Sequence, residues 1–178
     1  SFCKAIKKYT DHYVIGINRT PETAQKALNV GAIDEIGSPE ALSKADLVIL
    51  TMYPQADIDY IRKNGCFIKK GAVVTDASGI KSAICPLLKE LAQKYGFVFV
   101  CSHPMAGKEK NGFDVSNSEL YKGASFIITP CGAEQKYVDM LSDFAKSIGF
   151  EMIKITTPEE HDRMIAFTSQ LPHVLACA

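Results

Sequence analysis

Val73-Val74-Thr75-Asp76-Ala77-Ser78-Gly79-Ile80-Lys81 begins as an apolar, β-branched run and ends in small polar residues. A run of that kind reads as a buried strand that stops at a turn. Working outward, similar short apolar runs bounded by Gly, Pro, Asp or Asn occupy 13–18, 46–52, 71–76, 97–102, 125–129 and 150–155. Between them, helical periodicity covers 21–29, 55–64, 80–95 and 134–148, with Gly96 and Gly149 as C-terminal stops. Residues 1–8 also read as a helix. Strand and helix in alternation are the sequence form of right-handed βαβ units, so the expected class is α/β with a doubly wound, mainly parallel sheet.

A further helix is expected from Thr157-Pro158-Glu159-Glu160, where Thr caps, Pro takes the first helical position and two acids meet the positive end of the dipole. It continues through Met164, Ile165, Phe167, Leu171, Val174 and Leu175, more apolar than a solvated helix. The chain therefore divides into a sheet domain at 1–156 and, at 157–178, the start of an α-helical second domain.

Lys plus Arg number 20 and Asp plus Glu number 20, so the formal charge is zero. No single-sign block points to nucleic acid or a membrane surface, and the expected ligand is a small molecule. Hydrophobic residues make up 47% and charged residues 22%, as in an ordinary soluble domain, and no apolar stretch approaches the roughly 18 residues of a membrane span. Six cysteines, Cys3, Cys66, Cys85, Cys101, Cys131 and Cys177, show no C-x-x-C pair and read as reduced core residues, with no metal site. The first residues carry charge without a following apolar segment, so no signal peptide is read and a cytoplasmic setting is the default.

Open α/β sheets bind ligands at the carboxyl ends of their strands. In a dinucleotide fold the end of the second strand meets the adenosine ribose, and an acid there holds the 2′-hydroxyl while an Arg accommodates a 2′-phosphate. The turn Asn18-Arg19-Thr20 has no acid and offers a guanidinium fork, which favours NADP over NAD, with NAD still possible. Arg19 also reads as a solvated residue of a strand-to-helix turn. Thr51, Met52 and Tyr53 at the next strand end, and Asp76 after that, complete the expected cofactor contacts. Asp76 and Ser78 read equally as N-caps. The first strand and Gly-rich loop that such a fold needs are not found in these residues.

His103 follows Ser102 at another strand end, and Pro104 restricts its backbone to extended conformations. An imidazole there is a candidate proton acceptor. In Ser169-Gln170-Leu171-Pro172-His173 a helix-interior proline predicts a kink, with Ser169 and His173 four apart on one face. His12 and His161 carry weaker cases, and His12 reads as a surface turn.

Taken in order, Asp76 to Lys81 (D-x-x-x-x-K), His103 to Gly107 (H-P-M-A-G), Glu160 to Asp162 (E-H-D) and Ser169 to His173 (S-Q-L-P-H) resemble the prephenate and arogenate dehydrogenase family. The resemblance implies a Rossmann-like NAD(P)-binding domain followed by a helical, dimer-forming substrate domain. It implies that His103 accepts the ring hydroxyl proton while hydride leaves for the nicotinamide, that Ser169 and His173 face the substrate, and that Asp162 pairs with an Arg of the second domain. The family often reads D-x-x-S-x-K; here Gly79 stands at that Ser, and Ser78 one place earlier is the substitute substrate contact. Two rivals are a β-hydroxyacid dehydrogenase, whose K-x-x-x-N has no counterpart because the terminal helix lacks Lys, and a non-catalytic NADP-sensing module, which has no use for His103 and His173 aimed at one pocket.

Overall fold

The computed structural model describes residues 1–107 and 112–170, the last two of them, Ser169 and Gln170, by backbone alone. Helix α1 (Phe2–Tyr9) leads into β1 (Ile15–Gly16), α2 (Pro21–Asn29) and β2 (Glu35–Ile36), and a 3₁₀ turn at Pro39–Lys44 precedes β3 (Leu47–Leu50). There follow α3 (Pro54–Asn64), β4 (Val73–Asp76), α4 (Cys85–Tyr95), β5 (Val98–Phe99) and β6 (Cys101–Pro104). The described chain ends with β7 (Ser125–Thr129), α5 (Gln135–Ser147), β8 (Met152–Ile155), α6 (Pro158–Ile165) and a π-helical turn at Ala166–Gln170.

All four residues of β4 are buried, as expected of a strand covered on both faces. Because side chains alternate along a strand, Val73 joins a core with Ala5 and Ile6 of α1 and Val138, Leu141 and Ala145 of α5. Val74 joins the opposite core, with Ile58 and Ile61 of α3 and Leu88 and Ala92 of α4. This two-faced burial is the doubly wound architecture. β3, β4 and β5 run parallel, with Leu50 opposite Asp76 and Val73 opposite Val98. β1 and β2 form a separate parallel ribbon, and a groove is lined by Ile15 and Ile17 on one side and Leu47 and Ile49 on the other.

A further three-stranded sheet, in the order β6–β7–β8, departs from all-parallel at one pair. β6 runs antiparallel to β7, placing His103 opposite Ile127, while β7 and β8 are parallel. β2 was not expected, because two residues offer no alternation to read. The helix expected from residue 80 begins only at Cys85; residues 81–84 form a turn, with the Cys85 N–H donating to Lys81 O at 2.9 Å. Gly96 stops α4 in the left-handed region at φ +83°, its N–H on Ala92 O. Residues 171–178, including Pro172 and His173, lie outside the described residues.

The cysteine reading needs correction. Cys85 at the start of α4 and Cys101 on β6 are joined in a disulfide, their Cα atoms 6.6 Å apart. Sixteen residues and a strand crossing separate them, so no local spacing pattern could show the pair. Cys131 stands beside them, all three sulfurs lying within 4.8 Å of one another. No helix among the described residues is long and apolar enough to cross a membrane.

Candidate active site at the carboxyl ends of the strands

β4 delivers Asp76 to the sheet's carboxyl edge, fully closed to solvent. Its Oδ1 accepts the Ser102 N–H at 3.1 Å, and its Oδ2 accepts the Lys81 ammonium at 2.5 Å, the Ser78 N–H at 3.1 Å and the Ser78 hydroxyl. Lys81 also donates to Ser102 O at 2.5 Å, and the Ser102 hydroxyl donates to Asp76 O at 2.7 Å. Two buried charges thus clamp Ser102 through both its N–H and its carbonyl, which fixes the backbone entering His103. Burial pushes the Lys81 ammonium below its ordinary pKa despite the Asp76 carboxylate beside it.

His103 leaves this clamp half-buried. Its Nδ1 lies 2.9 Å from Nε2 of His161, a fully buried residue of α6. The His161 Nδ1 lies 2.8 Å from Asp162 Oδ1. Asp162 in turn accepts the backbone N–H of Lys81 on Oδ1 and of Ser82 on Oδ2, both at 2.8 Å. The Thr157 cap, whose hydroxyl accepts the Glu160 N–H at 3.2 Å, sets the start of α6 and so the direction of both residues.

Burial raises the Asp162 carboxyl, but the hydrogen bonds from His161, Ser82 and Lys81 outweigh it and hold the group below its ordinary pKa. Burial likewise lowers His161, against the pull of Asp162. His103 is pushed down to about 4, first by burial and then by the charges of Lys81 and His161. At neutral pH it is an unprotonated imidazole. A Cβ built on Gly79 would lie 3.6 Å from His103 Nε2, the nitrogen that His161 does not use, so a small backbone residue flanks that edge of the ring.

His103 also lines a cleft of about 1430 Å³, together with Gly16, Asn18, Thr51, Met52 and Ala77 from neighbouring strand ends. The structure therefore gathers His103, Asn18, Thr51 and Met52 on one cavity. Arg19, Thr20 and Tyr53 adjoin them in sequence and are exposed without forming its lining. The Asn18 side chain accepts the Thr20 N–H at 2.8 Å, which shapes the turn that presents Arg19.

Three expectations shift. Asp76 has no surface to offer a cofactor, since its carboxylate is consumed by Lys81, Ser78 and Ser102. Ser78 is only 7% exposed and turns its hydroxyl to Asp76, so Ala77 is the residue of this turn that faces the cleft. Asp162 is taken up by the Lys81–Ser82 turn and by His161. Ser169 carries no described side chain and His173 lies outside the described residues. Sequence reasoning undervalued His161 and Lys81; their signal was adjacency to Asp162 in E-H-D and the spacing of D-x-x-x-x-K. His12 is exposed, as expected, but lies in the irregular segment between α1 and β1 and not in a turn.

A mainly parallel sheet with helices on both faces and a cleft at the strand ends defines a Rossmann-like α/β nucleotide-binding domain. The chain belongs to the prephenate dehydrogenase nucleotide-binding domain family, whose pattern it matches over residues 2–154. It is 29% identical to the cyclohexadienyl dehydrogenase of Zymomonas mobilis over 182 residues, covering 99% of this chain and 60% of that protein. Among solved structures, prephenate dehydrogenase from Aquifex aeolicus in complex with hydroxyphenyl propionate and NAD+ superposes with a TM-score of 0.86 at 28% identity, covering 98% of this chain and 62% of that one. Synechocystis arogenate dehydrogenase superposes at 0.88 with 27% identity, covering 99% and 64%. The chain thus spans about half to two thirds of the length of these relatives.

Proposed function

We propose that the protein containing this chain oxidatively decarboxylates a cyclohexadienol, prephenate or its amino counterpart arogenate, with NADP as the preferred acceptor and NAD as the alternative. The observation that carries this reading is His103: a neutral imidazole at a strand end, on a cleft shared with Gly16, Asn18, Thr51 and Met52. The residues present fit such a cofactor. Gly16, Asn18, Thr51 and Met52 line the cleft at the ends of β1 and β3, and the exposed Arg19, next to Asn18, is the group assigned here to a ribose 2′-phosphate.

A bound nicotinamide supplies the hydride acceptor. His103 Nε2 takes the ring hydroxyl proton as the carbinol hydrogen departs as hydride. The bond to the ring carboxylate then breaks with loss of carbon dioxide, its electron pair completes the aromatic ring, and His103 returns the proton to the phenolic oxygen. Lys81, Asp76 and Ser102 hold the imidazole in place. Residues 157–178 are read as the opening of the helical substrate domain, with Ser169 and His173 as its substrate contacts.

Steady-state assay of the full-length protein with prephenate and arogenate, each with NADP and NAD, tests the proposal. Reduced cofactor and carbon dioxide in equal amounts are expected with one of the two substrates. Cofactor reduction with neither would overturn it.

A further inference from the structure

We propose that His161 and Asp162 are positioning residues that hold His103 in the Nδ1–H tautomer, so that the lone pair of Nε2 faces the reacting hydroxyl. The catalytic consequence rests on the function proposed above; the tautomer itself does not. An ionised carboxylate only accepts hydrogen bonds, so at 2.8 Å from Asp162 Oδ1 the His161 Nδ1 must carry the proton. Neutral His161 then has a lone pair on Nε2. Facing that lone pair at 2.9 Å, His103 Nδ1 must be the donor, which leaves His103 Nε2 as the acceptor.

Three features make the chain directional. Its origin, Asp162, is held by two backbone N–H donors of the Lys81–Ser82 turn, so the carboxylate cannot swing away. Its middle, His161, is wholly buried, so water does not compete for either ring nitrogen. The Lys81 side chain, whose backbone the same carboxylate holds, grips the carbonyl of Ser102 directly before His103. One turn therefore sets both the seat of the base and its protonation pattern. A base held in the wrong tautomer costs up to about 10⁴-fold in kcat in serine proteases, where a carboxylate performs this service directly.

The test uses full-length protein with ¹⁵N-labelled histidine, the His103 signals being identified by their loss in His103→Asn. Wild type is expected to show His103 as a neutral Nδ1–H imidazole. His161→Phe fills the same space without an acceptor, and should move His103 toward the Nε2–H form and lower kcat by about 10² to 10⁴-fold, the usual worth of a positioned base, with cofactor affinity within about threefold. His161→Gln restores an oxygen acceptor and should recover much of both. Asp162→Asn should resemble His161→Phe more weakly. An unchanged His103 tautomer in His161→Phe, or equal loss of kcat in the Phe and Gln variants, would overturn the proposal. If His161→Phe does not fold, the Gln and Asn variants carry the same NMR readout. Nδ1–H imidazole in a wild type inactive on both substrates would support the relay and sink the reaction instead.

Discussion

The Lys81 ammonium sits 2.5 Å from the Asp76 carboxylate with neither side chain exposed to solvent. Removing one partner of such a pair leaves an uncompensated buried charge, which costs about 3 to 5 kcal/mol, while replacing both by apolar groups is often neutral. Lys81→Met should therefore lose about that much stability in urea unfolding, and Asp76→Leu combined with Lys81→Met should lose less than the sum of the two single variants, the remaining loss coming from the Ser78 and Ser102 backbone groups left unpaired. Additive losses in the double variant would show that the pair is not coupled.

His103→Asn in the full-length protein should lower kcat by about 10² to 10⁴-fold while NADP affinity stays near wild type. The pH profile sharpens the test. An unshifted histidine titrates near 6.5, and His103 is displaced to about 4. Because the neutral form is the base, wild-type kcat/KM should rise as pH increases through about 4 and stay level toward neutrality, and the Asn variant should lack that rise. A wild-type limb near 6.5 would contradict the buried environment described for the ring.

Asp57 is fully buried, its Oδ1 accepting the Met52 N–H at 3.3 Å and its Oδ2 without a partner among the described residues. Burial, with the nearby Asp76 charge, raises its pKa to about 7. The folded state therefore holds a proton that the unfolded chain releases near the ordinary value of about 3.9, and the carboxyl destabilises the fold increasingly as pH rises from about 4 to 7. Asp57→Asn removes that penalty. Its urea midpoint relative to wild type should improve across this window and level off above it; a constant offset would show that Asp57 titrates normally.

If Arg19 meets a 2′-phosphate, Arg19→Ala should lower kcat/KM for NADP by about tenfold or more, the worth of a charge-assisted hydrogen bond of about 1.5 to 3 kcal/mol, and leave NAD nearly unchanged. Competition between the cofactors in the same assay measures this. An unaltered preference would make Arg19 a solvated turn residue.

Most of the fold was legible because β3, β4 and β7 are buried runs whose composition and length are local properties. The bounds of α2 and the left-handed stop at Gly96 could be read for the same reason. The antiparallel β6–β7 pair could not, since its register, with His103 opposite Ile127, is set by a partner strand distant in sequence. The site divides the same way. His103 was visible from its place before a proline at a strand end, but its displaced pKa comes first from burial in the folded chain and then from Lys81 and His161, which lie 22 and 58 residues away. Asp76 and Ser78 had the right position for ligands and were claimed by a buried lysine that no local pattern marks as buried.

The paired grip of α6, His161 on the base and Asp162 on the turn beneath it, makes helical phase a functional quantity. One residue advances an α-helix by about 100°, so a single insertion or deletion between the Thr157 cap and His161 would rotate the imidazole off its partner. Substitutions there leave the phase intact. The five-residue span from Thr157 to His161 is thus a gauge block, free to vary in much of its chemistry and held to a fixed length.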